Sequence, residues 1–66
     1  MSTVILNGVT ITTTTPHVLA LLEDYQLTQG RFAVEINGNL IPKQQLANTS
    51  LQDNMVIEVV QAVGGG

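Results

Sequence analysis

The chain has 66 residues, two basic and five acidic, a formal net charge of −3 and no cysteine. That length allows one domain with a thin core, because a chain this short buries only about 60% of the surface its unfolded form exposes. The missing cysteines exclude disulfide staples, a thiolate nucleophile and thiolate metal sites, and the two cations, Arg31 and Lys43, are too few for the positive footprint that nucleic acid or an anionic membrane surface requires.

In chain order, Thr3-Val4-Ile5-Leu6-Asn7 is rich in strand formers, and Asn7-Gly8 suits the positive φ angles of a two-residue hairpin turn. Val9 to Thr13 reads as the returning strand. The threonines at 12 to 15 finish that strand, with Thr15 as the predicted helix cap and Pro16 at the first helical position, where its missing N–H costs nothing. Val18, Leu19, Leu22 and Tyr25, with Leu21 alongside, recur at spacings of three and four and predict a helix from Pro16 to Tyr25 or Gln26. Glu23 and Asp24 stand near its C-terminal end, where the helix dipole disfavours acids.

Leu27 to Arg31 is a polar connection broken at Gly30. Phe32 to Asn37 alternates as a strand does, with Phe32, Val34 and Ile36 on one face and Ala33 and Glu35 on the other. Asn37-Gly38 marks a second turn, Leu40-Ile41 a short strand ended by Pro42, and Lys43 to Ala47 one helical turn. After a loop from Asn48 to Asn54, Met55 to Gln61 alternates again, placing Met55, Ile57 and Val59 inward and Val56, Glu58 and Val60 outward. A right-handed crossover through the helix sets the first and last strands side by side, so the predicted class is α+β, a β-grasp with a mixed sheet of about five strands and one helix across one face. The expected organisation is a single domain over residues 1–61 and a flexible glycine-rich tail over 62–66.

Side-chain catalysis has little raw material. There is one histidine, and the only serines are at positions 2 and 50. His17 at a helix start reads as a solvent-facing or capping residue. Glu23 and Asp24 point about 100° apart on a helix and so do not share a proton. The acids are scattered singly, which predicts no bound metal, and no glycine-rich loop leads into a helix to cradle phosphate. No apolar run approaches the roughly 18 residues needed to cross a membrane, and Met1-Ser2-Thr3-Val4 lacks a signal peptide's basic start, so the expected location is the cytoplasm. A mildly acidic domain is suited to steering toward a basic pocket on a partner protein.

The exception is the closing Ala62-Val63-Gly64-Gly65-Gly66. Glycines at a chain end also occur where nothing needs ordering, and composition alone leaves that reading open. A carboxylate carried on Gly-Gly, however, has no Cβ near it and can thread a narrow enzyme channel. An α-carboxyl, with an ordinary pKa of about 3.5, is ionised at neutral pH and can attack the α-phosphate of ATP, giving an acyl-adenylate from which a sulfur or amine nucleophile displaces AMP.

Val4-Ile5-Leu6-Asn7-Gly8, Val18-Leu19-Ala20-Leu21-Leu22, Val34-Glu35-Ile36-Asn37-Gly38, Leu40-Ile41-Pro42-Lys43 and the stretch from Asp53 to Gly66 together resemble the ThiS family of thiamine-biosynthetic sulfur carriers. The resemblance covers nearly the whole chain. It implies a ubiquitin-like β-grasp protein that is a co-substrate, not an enzyme, and binds no cofactor itself. A ThiF-type adenylyltransferase would adenylate Gly66 with Mg-ATP, and a persulfide donor from a cysteine desulfurase system would convert it to a thiocarboxylate. Thiazole synthase, ThiG, would then take the sulfur. Gly66 carries over as the sulfur-bearing residue and Gly65 as its neighbour. Gly64 is an additional glycine that lengthens the reach, and Asp53-Asn54 stands where the family commonly has Asp-Gly. The outward Ile5, Val56 and Val60 form a candidate docking patch for these partners. Two other readings share the activation chemistry: a MoaD-type carrier serving molybdopterin synthesis, and a ubiquitin-like modifier that conjugates to lysines. A non-carrier binding module, for which the tail would be dispensable, is the third.

Overall fold

Alternating β-branched residues, interrupted by two Asn-Gly pairs, shape the sheet. The computed structural model describes residues 1–62. Strands β1 (Ser2–Leu6) and β2 (Val9–Thr13) form an antiparallel hairpin with Leu6 opposite Val9. β3 (Phe32–Ile36) and β4 (Asn39–Ile41) form a second, with Ile36 opposite Asn39. Each two-residue turn has both φ angles positive, 50° and 83° at Asn7 and Gly8, 52° and 86° at Asn37 and Gly38. This is the turn whose twist matches paired strands, and it selects Asn-Gly because few other residues accept those angles.

The last strand, β5 (Val56–Gln61), lies between the hairpins, giving the order β2-β1-β5-β3-β4. It runs parallel to β1, with Ile5 opposite Val56, and antiparallel to β3, with Phe32 opposite Gln61. The chain end expected beside the first strand is thus the centre of the sheet. The helix α1 covers one face, and the whole is the β-grasp arrangement anticipated from the element order.

The helix itself departs from expectation at its start. α1 spans Val18–Asp24, and its cap is His17, in extended conformation, whose Nδ1 accepts the Ala20 N–H at 3.2 Å. Thr15 does not cap it, and Pro16 precedes the helix instead of opening it. The Thr15 N–H donates to the Thr13 hydroxyl at 3.1 Å, which holds Thr15 to the end of β2. His17 also bridges Ser50 and the Val18 N–H donates to the Thr49 carbonyl at 2.9 Å, so tertiary pairing delays the first turn.

At the other end Gln26 takes a φ of 58°, the Gln26 N–H donates to the Glu23 carbonyl at 3.0 Å, and the Leu27 N–H donates to the Leu22 carbonyl at 2.9 Å. These are the two bonds of a left-handed cap that ordinarily uses glycine. Because the helix stops at Asp24, Tyr25, expected in the apolar stripe, falls on the cap instead and is 48% exposed. The buried helical side chains are Val18, Leu21 and Leu22.

Those three pack on Val4, Leu6, Val34, Ile36, Met55 and Ile57 from the sheet side. The remaining core side chain is Leu46, fully buried, which enters from a 3-10 segment at Lys43–Asn48, the predicted helical turn. Inward and outward faces of β3 and β5 follow the predicted alternation, with Val59 half-buried.

The turn asparagines also do more than turn. The Asn7 Oδ1 accepts the Val59 N–H at 2.8 Å, and the Asn37 Oδ1 accepts the Val56 N–H at 3.0 Å. Each side chain extends pairing to β5 beyond the end of its own strand. Replacing Asn7 with Ala is expected to remove about 1–2 kcal/mol of stability, while Asn7→Asp, which keeps the acceptor and tolerates positive φ, loses less than half as much; urea melts with equal m-values measure both. Conversely, Gln26→Gly is expected to raise stability by about 0.5–1 kcal/mol by removing left-handed strain, read as a higher thermal midpoint.

Candidate functional site

The alternation of β5 brings its final residues against the start of β3. Gln61 stands opposite Phe32, and the Ala62 N–H donates to the Arg31 carbonyl at 3.0 Å. The base of the predicted tail is therefore anchored in the sheet as far as residue 62. Val63, Gly64, Gly65 and Gly66 lie outside the described residues, so the predicted sulfur-bearing position and its neighbours are not among the described groups.

Around this base lies an open groove of about 300 Å³ lined by Arg31, Phe32, Ala33, Val60 and Ala62. Ala33 and Val60 are paired across β3 and β5 and are both exposed, Val60 at 66%. They belong to the face of the sheet turned away from α1. On the other side of the same strand end, the Lys43 Nζ sits 4.3 Å from the centroid of the half-buried Phe32 ring, which packs against the core. An ammonium over a ring face is attracted by the ring quadrupole, which fixes where this cation stands. In the sequence Arg31 and Lys43 stand out only as charges. Their placement depends on the β3–β5 register, which no local signal states.

The three predicted docking residues share the uncovered face but do not all touch. Ile5 and Val56 are register partners on β1 and β5, Ile5 half-buried and Val56 38% exposed. Val60 is four residues further along β5, about 13 Å away at strand rise. Between them Glu58 faces Glu35 directly across the ladder, two like charges in a pairing that opposes sheet stability. The face thus offers an aliphatic pair at one end, an acidic pair in the middle, and Val60 with Ala33 beside the base of the tail.

A second groove, about 250 Å³, lies where the C-terminal end of α1 meets the first hairpin, lined by Leu6, Asn7, Val9, Ile11, Tyr25 and Leu27. His17 is engaged as the helix cap, one of the two roles expected of it. Glu23 and Asp24 are exposed. Among the described residues no polar or charged residue is buried, no group of three or more His, Cys, Asp or Glu is placed to hold a metal ion, and no helix is long and apolar enough to cross a membrane. What the described residues present beside Gln61 and Ala62 is an apolar groove with two cations next to it.

The family model described as the ThiS family matches residues 4–66. Among solved structures, the chain is similar to the crystal structure of a thiamine biosynthesis protein (ThiS) from Geobacter metallireducens, with a TM-score of 0.78 and 25% sequence identity, over 97% of this chain and 99% of that one. No curated protein matches.

Proposed function

The chain belongs to the ThiS family of ubiquitin-like sulfur carriers, and from that membership we propose that it carries sulfur for thiazole formation in thiamine biosynthesis on the α-carboxylate of Gly66. The observation that carries this reading is the extent of the family match, which runs through Gly66 itself. The hydrogen bond of Ala62 to Arg31 supports it by fixing the position of the residue that precedes the last four.

The chemistry needs no side chain of this protein. One oxygen of the Gly66 carboxylate bonds to the α-phosphorus of ATP held by a ThiF-type adenylyltransferase, and pyrophosphate leaves. Mg²⁺ accompanies the nucleotide as the enzyme's substrate. The terminal sulfur of a persulfide donor, supplied by a cysteine desulfurase system, then attacks the acyl carbon and AMP leaves, giving an acyl disulfide. A thiol cleaves its S–S bond, leaving a thiocarboxylate on Gly66 and a disulfide between thiol and donor. Thiazole synthase, ThiG, takes the sulfur from that thiocarboxylate.

The chain supplies access and grip. Three glycines in succession carry no Cβ, so the backbone that presents the carboxylate is as narrow as a polypeptide can be. Ile5, Val56 and Val60, on the face that α1 leaves uncovered, are the surface by which partners hold the carrier.

Two expectations test this. Intact mass spectrometry of the protein incubated with its activating enzyme, ATP and a persulfide donor shows a gain of one sulfur-for-oxygen exchange at Gly66. A variant lacking Gly65 and Gly66 shows none while keeping its circular dichroism. Transfer of sulfur by the shortened variant overturns the carrier reading, and isopeptide-linked adducts in place of the free thiocarboxylate favour a protein modifier. Separately, Val60→Asp is expected to leave the fold intact and lower kcat/KM for adenylation about tenfold, the effect of a polar group in an apolar contact; unchanged kinetics remove Val60 from the docking surface.

A further inference from the structure

Resting on the carrier reading, we propose that Arg31 and Lys43 form an electrostatic collar at the base of the tail, which docks on carboxylates around the channel mouth of the activating enzyme. The chain has two basic residues against five acidic ones, yet both cations stand at one place. Arg31 is hydrogen-bonded through its carbonyl to Ala62 and lines the outer groove beside Val60. Lys43 stands over Phe32, the register partner of Gln61, on the core-facing side of the same strand end. One positive charge therefore flanks each face of the sheet beside Gln61 and Ala62. Of the five acids, Asp53 accepts the Thr3 N–H near the opposite end of β5, Glu35 and Glu58 pair in mid-sheet, and Glu23 and Asp24 are exposed at the C-terminal end of α1.

Distance decides which anion these cations meet. A tail of four residues, threaded extended, places the Gly66 carboxylate up to about 14 Å beyond Ala62. The α-phosphate that it attacks is at that far end, so Arg31 and Lys43 remain at the entrance and face protein. Cations at an entrance are complementary to carboxylates, and complementary charge acts chiefly on encounter and orientation and weakens with salt. The net acidity of the domain would by itself send it to a basic surface; the collar gives the tail end a different preference and so orients the carrier for threading.

The test is adenylation of the full chain, followed as pyrophosphate release against carrier concentration at low and high salt. Arg31→Glu/Lys43→Glu is expected to raise KM for the carrier about tenfold or more at low salt, with kcat and KM for ATP unchanged, and the difference narrows to about twofold near 0.5 M salt, where screening is nearly complete. The milder Arg31→Gln/Lys43→Gln raises KM about threefold and guards against misfolding of the charge-reversed protein. Gln26→Glu/Gln52→Glu, which changes the net charge at exposed positions by as much as the Gln pair does, is the control for that milder pair and leaves KM within twofold.

An unchanged KM for the carrier overturns the proposal. So does an equal rise in the net-charge control, which makes the effect global, or a rise in KM for ATP instead, which places the cations on the nucleotide. A fall in KM also overturns it, because the cations would then be holding the tail's own carboxylate. A wild-type chain that releases no pyrophosphate overturns the carrier reading and the collar together, whereas normal turnover that ignores both cations removes the collar alone.

Discussion

The pairing of β5 with strands on both sides is the interaction on which the rest of the molecule depends. β5 is the last strand in sequence and the central one in space, parallel to β1 and antiparallel to β3. Its parallel ladder with β1 is short, with registered partners only at Ile5–Val56 and Leu6–Ile57. The side chain of Asn7 lengthens it by taking the Val59 N–H, 52 residues away in sequence. Without β5 the two hairpins have no shared sheet, Ile57 leaves the core, and α1 has only half a surface to cover. Such non-local pairing requires closing nearly the whole chain before its contacts are gained.

The thinness of the core makes each contribution visible. α1 is two turns long and buries three side chains, too little to hold a helix by propensity alone. It is fixed by its ends: His17 and the Ser50 strand bridge at one, the Gln26 cap at the other, with Leu46 filling the space beside it. The segment between Pro42 and Asn54, which has little regular structure, therefore does much of the positioning of the helix.

The same β5 connects this framework to function. Core-facing and outward-facing residues alternate along this one strand, so the same element that carries Ile57 into the core carries Val60 and the chain as far as Ala62 to the outer groove. Just past the strand, the Ala62 N–H donates to the carbonyl of Arg31, the residue before β3. The surrounding face is aliphatic at Ile5 and Val56, acidic at Glu35 and Glu58, apolar and cationic around Val60 and Arg31.

Local chemistry was enough to place both hairpins, the alternation of β3 and β5, the existence of the helix and the interest of the glycine run. Asn-Gly turns, period-two patterning and i, i+3, i+4 stripes act over a few residues and are written where they operate. The helix ends were not legible in the same way. Thr15 and Pro16 are good local capping chemistry, but the pairing of His17 with Ser50 outcompetes them, and Gln26 adopts a left-handed cap with no glycine to announce it. Leu46 as a core residue, the second role of Asn7 and Asn37, the acidic pair between Val56 and Val60 and the gathering of Arg31 and Lys43 beside Gln61 and Ala62 all depend on the register between strands distant in sequence. Register is settled by simultaneous packing of both faces, so it belongs to the tertiary structure. The sequence by itself singled out the terminal glycines as the chemistry to consider; only the fold decided what stands around Ala62, because that depends on which distant strands pair.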